Sequence, residues 1–237
     1  MSDMSFTWRG ASSSAHGVVV RSLPAPISGA QRHTTVVVPG RHGALHLMED
    51  VRDEVLLNIE CYLPYEQGVP VSDLRTIIGW LTGSGQLLLS DQPGVFFQGQ
   101  ILDTVNFEPV LPGFADRVFS LPVWVKPHAY KTGVSDIAVV VSGTEVVNPC
   151  TAESEPVITV TGSGDIALSV GDYLVELDAV DGQITLDCEA RVAHKSGVLA
   201  GLQVALSEWP VLVPGANVIS WTGAVTSVSI SPRWRWL

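Results

Sequence analysis

The sequence predicts a mainly β protein in two units, the first rich in strands with a single packed helix, the second a β-sandwich. Three observations carry this. The stretch from Val36 to Leu63, VVVPGRHGALHLMEDVRDEVLLNIECYL, reads as turn-and-strand scaffolding. One segment, about 73–82, has a helical period. Beyond Lys131–Asp136 the strands become short, turns recur at roughly ten-residue spacing and no helix intervenes, the pattern of a sandwich.

Taken in order, Phe6–Trp8 and Val18–Leu23 are strand candidates, the second ended by Pro24 and Pro26. Val36–Val38 runs into Pro39-Gly40, which suits the two central positions of a type II turn because proline presets φ and glycine accepts a positive one. Strand-like runs follow at Ala44–Met48 and Val55–Leu63. In the helix, Ser72 is a natural N-cap and Asp73 meets the positive end of the helix dipole. Leu74, Ile77, Ile78 and Leu81 recur at i, i+3, i+4 and i+7, one apolar stripe to lay against a sheet, with Gly83 placed to end the helix. Strands are then expected at Gln86–Ser90, Val95–Phe107 and Arg117–Ala129. The last alternates apolar Phe119, Leu121, Val123 and Val125 with Ser120, Pro122, Trp124 and Lys126, and Pro122 suggests an edge or a bulge. The domains therefore read as 1–132 and 136–237. In the second, short strands at Ile137–Val141, Val157–Val160, Ile166–Val170, Tyr173–Leu177, Gln183–Leu186, Ala190–Ala193, Asn217–Trp221 and Val225–Ser231 are separated by turn signals, among them Gly162-Ser163-Gly164, Asp181-Gly182 and Thr222-Gly223.

Composition narrows the classes. Hydrophobic residues make up 46% and charged ones 16%, which argues against disorder and for surface buried against partners. The net charge is −11, divided unevenly: −3 for Met1–Ser135 and −8 for Asp136–Leu237. An acidic chain without a basic stripe is poorly suited to gripping nucleic acid. Cys61, Cys150 and Cys188 are odd in number and far apart, so buried reduced thiols are expected. No basic-then-apolar leader and no run near ~18 apolar residues is visible, which predicts folding in the cytoplasm without membrane insertion.

No catalytic, cofactor or metal site is predicted. Gly162-x-Gly164-x-x-Ala167 matches the loose dinucleotide string, but strand follows where a helix is required. His42 and His46 stand at i, i+4, a metal spacing only on a helix, and Gly43 opposes one. Acidic pairs such as Glu153/Glu155 and Asp178/Asp181 lack the surroundings of calcium or glycosidase chemistry. Trp209 and Trp221 are candidates for a sugar-stacking or partner surface. Trp234 and Trp236, flanking Arg235, either close the sandwich or anchor a partner.

The order of these segments resembles that of the distal tail proteins of long-tailed, non-contractile bacteriophages. The carrying residues are the strand before Pro24-Ala25-Pro26-Ile27, the VVVPGRHGAL turn, the strand ending Cys61-Tyr62-Leu63, the run DLRTIIGWLTGSGQLLLSD, then FFQGQILDTVNFEP and VFSLPVWVKPHAYK. The second part resembles the galectin-like, jelly-roll sandwich appended there, through Asn148-Pro149, Glu155–Gly162, Ile184–Asp187 and Val213–Ile219, departing at Cys150-Thr151-Ala152 where a glycine turn is expected. The resemblance implies a tail-tube-like sandwich with one helix and a hairpin. It implies a homo-hexameric ring in the virion tail tip, between the tail tube protein and a hub or fibre-bearing protein, through which DNA passes unbound. Pro39, Gly40, Arg41 and His42 are then expected at the oligomer interface. Two rivals stand beside it: a carbohydrate-binding module using Trp209 or Trp221, and a wall-degrading enzyme.

Overall fold

The computed structural model describes residues 4–26, 28–64, 71–111 and 116–237. The chain divides between Tyr130 and Lys131 into two compact units, with Leu237 returning to the first.

Unit 1 opens with β1 (Phe6–Trp8), β2 (Ala11–Ser12) and β3 (Val19–Ser22), followed by the ribbon strands β4 (Gln31–Val36) and β5 (Leu45–Arg52). Then come β6 (Val55–Leu63), α1 (Val71–Trp80), β7 (Gly83–Leu89), β8 (Val95–Ile101), the short β9 (Glu108–Pro109) and β10 (Arg117–Lys131). The main sheet runs β2-β1-β7-β8-β10-β6-β3, with β9 a further partner of β10. Period-two alternation builds its core: Val55, Leu57, Ile59 and Cys61 of β6 are buried beside Phe119, Leu121, Val123 and Val125 of β10. These rows lie directly opposite one another, as Cys61↔Phe119, Ile59↔Leu121, Leu57↔Val123 and Val55↔Val125.

Three expectations change here. Pro122 sits neither at an edge nor at a bulge, since β10 lies between β8 and β6 and its register with β6 is unbroken through Pro122↔Asn58. The missing N–H removes at most one ladder bond, and fully buried Leu121 and Val123 on either side hold the pairing. The helix spans Val71–Trp80 rather than 73–82, and Gly83, at φ +76, opens β7 instead of closing the helix. The Ser72 and Asp73 side chains, expected to cap it, lie outside the described residues. Of the predicted stripe, Ile77 and Leu81 are buried but Ile78 is 43% exposed. Trp80 takes its place: its indole stacks on Phe6 (5.6 Å between centroids) and His16 (4.1 Å), and its Nε1–H donates to the Trp8 carbonyl at 3.0 Å. Ile78 and Trp80 flank the stripe on opposite sides, so docking the larger ring turns Ile78 to water.

Unit 2 contains β11 (Ile137–Val139), β12 (Thr144–Asn148), β13 (Val157–Val170), β14 (Tyr173–Asp187) and β15 (Val192–Lys195). It ends with β16 (Val198–Leu199), β17 (Val204–Leu206), β18 (Gly215–Ser231) and β19 (Arg235–Trp236). Six of the eight short strands expected here merge in pairs into three long ones, β13, β14 and β18. Gly162-Ser163-Gly164, Asp181-Gly182 and Thr222-Gly223 are not reversals but points inside β13, β14 and β18. The β13–β14 register slips between Gly164 and Ile166, and the β13–β18 register slips between Thr161 and Gly162 and again between Ser163 and Ala167. The irregularities align across the central strands, so the sheet bends as one and folds into two layers. Beyond the bend, the first half of β18 pairs with β12 and the first half of β14 with β17. The second halves pair with β11 and β15. One cluster between the layers includes Ile158, Val160, Leu168, Leu177, Ile184, Leu186, Ile219 and Val228. The dinucleotide-like string therefore lies at a strand bend and cradles no phosphate.

Two buried asparagines close the loops of this unit without leaving orphans. The Asn148 amide donates to the Leu212 and Ala152 carbonyls (2.9 and 3.0 Å) and its Oδ1 accepts from the Cys150 N–H at 2.9 Å. The Asn217 amide donates to the Val213 and Gly215 carbonyls while its Oδ1 accepts from the Val213 N–H. Near the end of the chain, Arg233 forks onto Asp187 (2.8 and 3.0 Å) and reaches Glu189 at 3.2 Å.

The Arg233 hydrogen bonds hold the Asp187 carboxyl below the usual value of 3.8. A carboxylate depressed on folding adds stability that is complete above the unfolded value and fades as pH falls through the folded one. Arg233→Gln is therefore expected to destabilise the protein at pH 6 and to flatten the loss of stability below about pH 4, measured by urea unfolding at stepped pH.

All three cysteines are free and buried, and burial pushes the Cys61 and Cys188 thiols up to about 12. At pH 8 about one in ten thousand of either is thiolate. Neither is expected to react with iodoacetamide in the native protein, whereas both react in urea; native labelling seen by mass spectrometry would refute this.

Candidate assembly surface

The ribbon β4–β5 forms its own two-stranded sheet and joins neither core. At its tip the Arg41 N–H donates to the Val38 carbonyl at 3.2 Å with Gly40 at φ +81, the expected type II reversal at Pro39-Gly40. Val37 and Val38 belong to the loop instead of a strand, because β4 ends at Val36. Polar ties hold the base: Arg52 donates to the Gly29 carbonyl (2.8 Å), the Asp53 N–H to Ala30, and Arg32 pairs with Asp53 at 2.6 Å.

Register assigns the two faces. Thr34 opposes Leu47 and Val36 opposes Leu45, so these four side chains share one face. His33 opposes Met48 and Thr35 opposes His46 on the other. On the second face His33 and His46 meet edge to face at 5.4 Å and His46 Nδ1 lies 3.1 Å from the Thr35 hydroxyl, with Met48 59% exposed beside them. The first face is largely apolar and uncovered, with Leu47 52% and Leu45 38% exposed, and Val37 beside the tip 75% exposed. A lone two-stranded ribbon is marginal in water, and a contiguous exposed apolar face marks a surface that another molecule covers.

Pro39, Gly40, Arg41 and His42 are all exposed at the tip, and Arg41 makes no ion pair among the described residues. His46 has His33 as its ring neighbour, and no three of His, Cys, Asp and Glu gather as a metal site among the described residues. No described helix is long and apolar enough to cross a membrane. The sequence predicts a strand-like run at Ala44–Met48 but not which of its faces is left uncovered. The available signal was the polarity of the partner strand, Gln31-Arg32-His33-Thr34-Thr35, which cannot enter a core.

The four tryptophans of unit 2 divide. Trp234 is 5% exposed and Trp236 packs half-buried on the same core, so the pair closes the sandwich. Arg235 between them reaches Glu155 (2.7 Å) and the Glu153 carbonyl (2.6 Å). Trp221 is half-buried, with its backbone N–H and carbonyl both bonded to the Ser142 hydroxyl (2.9 and 3.2 Å). Trp209 lines a groove of about 380 Å³ with Val192, Leu199, Val204, Leu206 and Arg191, and Trp221 is not in its wall. Trp209 and Trp221 therefore do not share this groove.

These features define a class: a two-unit, mainly β protein with one packed helix and a separate two-stranded ribbon that carries exposed apolar side chains. No family model matches the chain, and no curated protein matches it. Among solved structures, the chain is similar to the Dit protein of SPP1, described as a paradigm of the hub adsorption apparatus in Gram-positive infecting phages. The likeness covers 99% of both chains at a TM-score of 0.77 and 13% identity, which establishes a shared fold through both units.

Proposed function

We propose that this chain is a structural, non-catalytic hub of a bacteriophage tail tip. It acts as a homo-hexameric ring, with the tail tube protein on one side and a tip or fibre-bearing protein on the other. The observation that carries the reading is the uncovered apolar face of β4–β5, in a chain whose entire fold is similar to a hub adsorption protein. An exposed ribbon face of this kind is stabilised when a neighbouring copy covers it, and a cyclic ring repeats that contact until it closes. Unit 2 is read as the appended galectin-like module. The virion tail tip is the site of action, after assembly in the host cytoplasm.

Light scattering after gel filtration tests the ring. The expected mass is about 150 kDa, six times the 25.3 kDa chain. A protein that stays monomeric both alone and with tail-tube protein added overturns the reading. Arg41→Glu is expected to weaken the oligomer by at least ~10-fold in dissociation constant. An unchanged mass on dilution would remove Arg41 from the contact.

An open lumen would pass the genome. With a net charge of −11, the protein is expected to leave duplex DNA unretained on a filter at physiological salt. Strong retention would contradict passage without binding.

A further inference from the structure

We propose a saccharide-binding site on the outer face of the unit 1 sheet, centred on Trp124. It goes beyond the hub reading and does not rest on it. Three adjacent strands, β7, β8 and β10, build a groove of about 380 Å³, inside the ~300–1,000 Å³ range of small-molecule sites. Strand alternation decides what faces it. Leu87 and Phe97 pack inward, so Gln86 and Gln98, directly opposite each other, point outward, as does Gln100 opposite Ser84. Val123 and Val125 are buried, so Trp124 and Lys126 project on the same outer side.

The lining has the chemistry that a sugar requires. A pyranose presents apolar C–H faces and a rim of hydroxyls that both donate and accept. Trp124 supplies a flat apolar wall, and its Nε1–H donates to Asp103 at 2.8 Å, which fixes the ring in place. Gln86, Gln98 and Gln100 each offer donors and an acceptor, and Glu54 and Lys126 complete the rim. Gly99 lets β8 approach closely: a methyl there would stand 3.0 Å from the Trp124 carbonyl oxygen and 2.9 Å from a Val125 methyl. The Trp209 groove, of equal volume, has apolar walls with Arg191 as the polar side chain among them, and leaves sugar hydroxyls unpaired. Glu54 and Lys126 give the rim one charge of each sign and no net charge, which suits a neutral mono- or disaccharide unit.

The test is saturation-transfer NMR on the full chain with glucose, galactose, N-acetylglucosamine and maltose as separate probes. Binding of at least one is expected with a dissociation constant of about 1 mM. Trp124→Ala should weaken it at least ~10-fold and Gln98→Ala about 3- to 10-fold, while Trp209→Ala leaves it unchanged. Circular dichroism checks that each variant is folded; if Trp124→Ala is not, the double variant Gln98→Ala/Gln100→Ala carries the test. No transfer to any of the four probes at about 20 mM overturns the proposal. So does binding that survives Trp124→Ala or the double variant, or that is lost in Trp209→Ala. A protein that stays monomeric both alone and with tail-tube protein added would remove the hub and leave this site standing.

Discussion

Gly223→Ala is expected to destabilise the second sandwich by roughly 3–5 kcal/mol, a large share of the ~5–15 kcal/mol that holds a domain folded. Two effects add. Gly223 sits at φ +97, where an L side chain is strained. Its missing methyl would also overlap the backbone carbonyl oxygen of Asp165 and stand 3.2 Å from the Ile166 Cα. Neither obstacle is a side chain that can swing away, since both belong to β13 at the level where the sheet bends. Relief would require moving the bend itself. Gly182→Ala separates the effects: its φ is +88, but nothing lies within 4 Å of the added methyl, so only the conformational strain of ~1–2 kcal/mol applies. Gly162→Ala carries the overlap without the positive φ, because its methyl would meet the Ala224 carbonyl oxygen. Urea unfolding with hydrogen exchange over Val157–Ser231 ranks the three. Equal losses for Gly223→Ala and Gly182→Ala would mean that β13 and β18 do not cross closely at the bend.

Leu47→Glu is expected to dissolve the proposed ring while leaving the chain folded. Leu47 lies on the uncovered ribbon face, with Leu45 on its own strand and Thr34 opposite. It touches neither core, so the change alters monomer stability by less than about 0.5 kcal/mol. In an assembly that covers this face, the same change buries an unpaired carboxylate, a loss of several kcal/mol at each contact. Repeated around a ring, that loss takes the mass from about 150 kDa to that of one chain. His46→Glu, on the opposite face beside His33, serves as the control and should leave the mass near that of the ring. If the control dissolves the ring and Leu47→Glu does not, the covered face is the polar one. If neither does, the ribbon is not the contact.

Legibility followed the range of the forces involved. The Pro39-Gly40 reversal was readable because φ preferences act within four residues. The alternations in Val55–Cys61 and Phe119–Val125 were readable because a strand's period of two records directly which face is buried. The helix was readable from its period, though not its bounds, and which flank of its stripe docks depended on Phe6 and His16, distant in sequence and able to stack on Trp80. Among the tryptophans, the pair closing the sandwich was foreseen as one of two possibilities. Trp124 passed as a mere polar-side position in an alternating strand, because its groove partners lie on two other strands.

By itself the sequence determined a mainly β chain in two units, one helix, the rows of the first core, and a turn at residues 38–41. All of these rest on local backbone preference and on periodicity. The tertiary structure alone decided that Gly162, Gly182 and Gly223 bend long strands and do not reverse the chain. A bulge and a turn share the same residues and differ only in whether neighbouring strands bend at the same level. It alone decided that Leu47 faces water, since exposure of a strand face depends on what packs there. It also brought Gln98 to Trp124, because contact across a sheet is set by strand order, which no single stretch of sequence encodes.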